Sequence, residues 1–102
     1  MITKEQQEEL MGKTVKGFRF ENGHGQVGYL SGMMDKFVGL EGRISSYYKG
    51  LDGDKEYDCF HIDFGTDTYS YPADLVYEQY LSETRTEDEI YGDIYSLLRS
   101  IK

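Results

Sequence analysis

Apolar and polar residues alternate through much of this chain. Phe18 and Phe20 flank Arg19, Leu40 and Ile44 flank a small polar stretch, and Phe60, Ile62 and Phe64 alternate with Cys59, His61 and Asp63. A period of two marks strands with one face buried, so Cys59, His61 and Asp63 are expected to face outward together. Eleven of the twelve glycines fall between Gly12 and Gly65, a density that means short strands and tight turns. Asn22-Gly23-His24-Gly25 and Leu51-Asp52-Gly53-Asp54 carry turn chemistry, and Phe64-Gly65-Thr66-Asp67-Thr68-Tyr69 reads as a hairpin connection. The pattern predicts roughly four to six short antiparallel strands between Lys13 and Val76, closing into a barrel or small sandwich. Pro72, the one proline, belongs at a strand end or edge where no ladder hydrogen bond is lost. Ala73-Asp74-Leu75-Val76 after it is expected to form a turn or a last short strand.

Helical signals sit at the two ends. Thr3-Lys4-Glu5-Gln6 has the capping-box spacing and predicts a short helix through about Met11, stopped by Gly12. Thr86-Glu87-Asp88-Glu89 is a second capping box, and Ile90, Ile94, Leu97, Leu98 and Ile101 then follow at helical spacing. The expected layout is a single domain over residues 1–102: a short helix at 3–12, a barrel at 13–77 and an amphipathic helix at 86–101. A helix of that length is marginal alone in water, so its stripe must pack on the barrel or pair with another copy of the chain.

The segments Val15-Lys16-Gly17-Phe18-Arg19-Phe20, Met34-Asp35-Lys36-Phe37-Val38-Gly39-Leu40-Glu41-Gly42-Arg43-Ile44, Phe64 and Tyr71-Pro72-Ala73-Asp74-Leu75-Val76 form a recurring combination. It resembles the small SH3-like barrel proteins of tailed bacteriophages and, more distantly, the mind-bomb type of SH3-like repeat. The resemblance covers roughly residues 13–77 and implies a mainly β, SH3-like antiparallel barrel, a viral origin and no catalytic residue. The acidic insertion from Lys49 to Asp58 and the C-terminal helix depart from the pattern, which puts the partner in doubt.

Composition narrows the class of function. The net charge of −8 is uneven: residues 13–49 carry six basic against three acidic side chains, whereas 50–73 carry one against six. Such a balance disfavours direct binding to nucleic acid or to an anionic membrane, and it leaves either a solvated acidic surface or a basic partner. No run approaches the roughly 20 apolar residues of a membrane span, and the N-terminal residues lack an apolar signal core. The lone Cys59 suits a reducing compartment. The expected location is the cytoplasm, that of the host if the chain is viral.

Candidate chemistry is sparse. Asp52, Asp54, Glu56 and Asp58 alternate, yet an EF-hand counted from Asp52 puts Tyr57 where glycine must turn and Asp63 where a bidentate Glu must close the site. His24, Cys59 and His61 lack zinc-site pair spacing. Cys59 and His61 share a strand face, but no orienting group or oxyanion hole accompanies them. Gly23-His24-Gly25-Gln26-Val27-Gly28 matches a dinucleotide fingerprint in letters only, because no helix start follows. No metal, cofactor or enzymatic activity is expected. The ten tyrosines exceed what so small a core requires, and tyrosine suits interfaces. Tyr29, Tyr47, Tyr69 and Tyr71 either pack in the core and its rim or form a recognition patch, with Asp52, Asp54 and Glu56 as acidic contacts. The expected function is non-enzymatic binding of a protein partner, as a phage accessory factor acting on a host protein; the alternative is an acidic mimic of nucleic acid that blocks a host DNA- or RNA-binding or defence protein.

Overall fold

The computed structural model describes residues 1–84. Helix α1 (Lys4–Leu10) begins with both capping-box hydrogen bonds in place, Gln6 N–H to Thr3 Oγ1 at 3.1 Å and Thr3 N–H to Gln6 Oε1 at 2.9 Å. The chain leaves it through Gly12 at φ +83°, a left-handed conformation that costs glycine little. Strand β1 (Thr14–Lys16) is followed by an irregular excursion, a four-residue helix α2 (Ser31–Met34) and a 3₁₀ turn (Asp35–Phe37). Strands β2 (Glu41–Asp52), β3 (Lys55–Asp63) and β4 (Thr68–Pro72) then lead directly into helix α3 (Ala73–Thr84).

The four strands form one antiparallel sheet in the order β1-β2-β3-β4. It is a curled half-barrel, so the domain is mixed α/β, with helices supplying part of the wall. Two of the three expected turns become hairpins: Gly53 at φ +65° turns β2 into β3, and the Phe64–Asp67 loop joins β3 to β4. One extra residue, Ser45, interrupts the β2–β3 register between Ile44↔Ile62 and Ser46↔His61. Such a bulge sharpens local twist and reverses which side chains face in. Before it Gly42 and Ile44 are buried; after it Tyr47 turns inward and Tyr48 is half exposed.

The concave face collects Val15, Ile44, Phe60, Ile62 and Tyr71, closed over by Leu10 of α1, Met34 of α2, and Ala73 and Val76 of α3. At about 25 cal/mol per Å² of apolar surface, this shared burial is what fixes three short helices that would not stand alone. Gly42 lets the sheet close tightly, since a Cβ there would lie 2.5 Å from Ile62 Cγ2 and 2.7 Å from the Phe64 ring.

Three local expectations change. Ala73–Val76 opens α3 rather than a turn or strand, because Ala73, Val76, Tyr77 and Tyr80 recur at helical spacing and all pack on the core. Phe18 and Phe20 lie outside the sheet, and both rings pack against Tyr71 at centroid distances of 5.1 and 5.6 Å. Cys59 faces the convex side as its alternation requires, yet it is only 2% exposed. The loop around Gly25 and Val27 covers that side: Gly25 sits against the Tyr57 ring, and Val27 is buried beside Cys59 at a shared cavity. The amphipathic helix expected at 86–101, with its proposed packing or pairing role, lies outside the described residues.

Candidate acidic cleft along the hairpin edge

The geometry starts from unequal strand lengths. β1 pairs only with Glu41–Arg43, and β4 pairs only with Cys59–Asp63. β4 stops at Pro72, which has no N–H to donate, and the chain turns into α3 there. The far half of the β2–β3 hairpin therefore continues as a two-stranded ribbon. A cleft of about 340 Å³ runs along its β3 side, between Lys55–Asp58, the Gly23–Gly25 loop and the Pro72–Asp74 junction.

Asp52, Glu56, Asp58 and Asp74 line this cleft. Its fixed cations are Lys55 and the Met1 ammonium, which lies 3.6 Å from Asp74 Oδ2. Asp58 is the one buried charged side chain among the described residues, at 6% exposure. Its Oδ2 accepts hydrogen bonds from Ile2 N–H at 3.0 Å and from Tyr47 O–H at 2.8 Å, while Oδ1 takes none among the described residues. Burial first, and then the bond to Asp58, holds the Tyr47 phenol well above its ordinary range, so it stays a donor. No three of these carboxylates converge on a point that could hold a metal ion. The negative charge is spread along the cleft instead of focused within it.

Two of the three acidic residues singled out in the sequence, Asp52 and Glu56, meet here, whereas Asp54 stands on the hairpin turn outside the lining. The four tyrosines do not form one surface. Tyr71 is fully buried, ringed by Phe18, Phe20 and Phe64, and its hydroxyl has no partner; burial pushes its pKa up to about 12. Tyr29 packs edge-on against Phe20 and donates to Asp35, which Arg19 Nε also reaches at 3.1 Å. That hydrogen bond from Tyr29 is the main cause holding the Asp35 carboxyl below its ordinary range. Tyr69 leans on Phe37, and Tyr47 stands apart, against Phe60 and beside the acidic cleft. Tyr29, Tyr69 and Tyr71 thus belong to one aromatic network of the core and its rim. Asp58 and Asp74 were not singled out as contacts, although parity with Phe60 and Ile62 places Asp58 on the inner face.

A second cavity, about 360 Å³, lies on the convex face among Tyr48, Tyr57, Cys59, His61, Ser70 and Val27. His61 Nδ1 is 2.7 Å from Ser46 Oγ, its cross-strand neighbour. Burial raises the Cys59 pKa, against an opposing hydrogen bond with Ser70, so the thiol stays protonated and unreactive at neutral pH. Among the described residues no helix is long and apolar enough to cross a membrane. Neither a family model, nor a curated protein, nor a solved structure matches this chain.

Proposed function

We propose that this chain is a non-enzymatic interaction domain of SH3-like build that holds a basic region of a protein partner in the cleft along the β3 edge of the far half of the β2–β3 hairpin. The observation that carries this reading is the gathering of Asp52, Glu56, Asp58 and Asp74 along one concavity without a point of convergence for an ion. Charges distributed in this way favour a cationic surface or segment and raise its association rate. The curled antiparallel sheet is consistent with the SH3-like build, and the motif resemblance supports a phage accessory factor acting on a host protein in the host cytoplasm.

A second reading, an acidic mimic of nucleic acid, is favoured by Asp54 at the hairpin tip, which carries negative charge beyond the cleft. The two are separated by affinity capture on the immobilised full chain, with mass-spectrometric identification, comparing the native chain with an Asp52→Lys/Glu56→Lys variant. The proposal expects one protein to be captured by the native chain and lost with the variant, and retained when excess duplex DNA or RNA is added. Displacement by nucleic acid, with binding that collapses as salt rises, supports the mimic. Equal capture by both chains refutes the cleft as the contact.

A further inference from the structure

Among the described residues no strand lies beside the β3 edge that borders the cleft. β4 ends opposite Cys59, and among the described residues no hydrogen bond outside the β2 pairing reaches the backbone of Lys55–Asp58. An open edge with unpaired backbone groups is a template for another strand, and charges along it oppose like-charged edges while admitting a strand of opposite charge. Here the edge opens onto a cavity instead of bulk solvent, between the β4–α3 junction and the Gly23–Gly25 loop. We infer that the edge and the cleft act together: a basic, extended segment of the partner adds as a fifth strand along Lys55–Asp58, continuing the line of β4. This rests on the interaction reading above and specifies its mode.

Charge complementarity selects the occupant. Glu56 and Asp58 are two apart and share the inner face of β3, about 7 Å from one another along the strand. An added strand presents every second side chain to the same face, so lysines or arginines at alternate positions would meet both carboxylates in register, with Asp74 beyond them. Asp58 suits this role because only one of its oxygens is engaged by the protein, by Ile2 and Tyr47. The Tyr47 bond also fixes its rotamer, so little side-chain entropy remains to be lost on binding. Backbone pairing would supply affinity, and the alternating carboxylates would supply specificity.

The test uses the full isotope-labelled chain and a blocked six-residue peptide alternating lysine with valine, followed by amide NMR and hydrogen exchange. The expected result is slowed exchange at amides within Lys55–Asp58, with affinity falling as salt is raised. A peptide N-methylated at alternate residues on its pairing edge should bind at least about tenfold more weakly, since it loses two or more backbone bonds. Glu56→Lys, an exposed change, should weaken the unmethylated peptide. If the peptide binds and N-methylation makes no difference, strand addition is wrong while the acidic cleft remains the contact. If the peptide fails to bind at about 1 mM, far weaker than useful recognition, strand addition is also overturned. The wider interaction reading then stands or falls on the capture experiment alone.

Discussion

Tyr71→Phe should make this protein more stable. The Tyr71 side chain is fully buried and its hydroxyl is the buried side-chain polar atom left without a partner among the described residues. Folding strips water from that hydroxyl and returns nothing, a cost of about 1–3 kcal/mol. Phenylalanine removes the cost and keeps the ring against Phe18, Phe20 and Phe64, at centroid distances of 5.1, 5.6 and 6.1 Å. The lost oxygen leaves too little volume to offset more than a fraction of the gain. Urea denaturation of the full chain should show a higher midpoint with an unchanged m-value, and the melting temperature should rise by at least about 4 °C. The pH dependence supplies a second readout. Folding raises the Tyr71 pKa from 10.0 to about 12, so above pH 10 the unfolded chain releases a proton that the folded chain keeps. Stability from this group is therefore complete below pH 10 and declines as pH rises from 10 towards 12. The native chain should lose stability across that window more steeply than the Phe variant. A Phe variant that melts lower would show that the hydroxyl has a partner, and an alkaline profile matching the native one would show that burial does not hold its proton; either result refutes the packing reasoning.

Tyr47→Phe should destabilise by about 1–3 kcal/mol by removing a hydrogen bond to the buried Asp58, and a double-mutant cycle with Asp58→Asn should return a coupling of about 0.5–3 kcal/mol; additive effects would mean that the pair does not interact. Gly42→Val should cost at least about 1–3 kcal/mol, because even its Cβ would meet Ile62 and Phe64 at 2.5–2.8 Å, and an unchanged denaturation curve would contradict the close approach. The Cys59 thiol, buried with a raised pKa, should react slowly with a disulfide reagent in the native chain and rapidly once urea unfolds it; equal rates would mean that the loop over it does not close.

How much of this was legible beforehand follows from the range of each signal. The capping box at Thr3–Gln6, the Gly53 and Gly65 turns and the alternation of β3 depend on neighbours a few residues apart, and each appears where local chemistry placed it. The helical spacing of Ala73, Val76, Tyr77 and Tyr80 was equally local, but Leu75-Val76 beside a proline also suits a strand end, and only the core beneath decided for the helix. The single-residue bulge at Ser45 has no marker in the sequence, yet it chooses Tyr47 over Tyr48 for the inside and so creates the bond to Asp58. Burial of Cys59 depends on a loop some thirty residues earlier folding over the convex face, a contact that strand parity cannot foresee. The acidic cleft likewise joins Asp52, Glu56 and Asp58 of one hairpin to Asp74 of α3. Sequence by itself determined the sign of the charge and the acidic excess of residues 50–73. Tertiary structure decided that the charge faces an open strand edge, because β4 ends at Pro72 while its neighbour runs on.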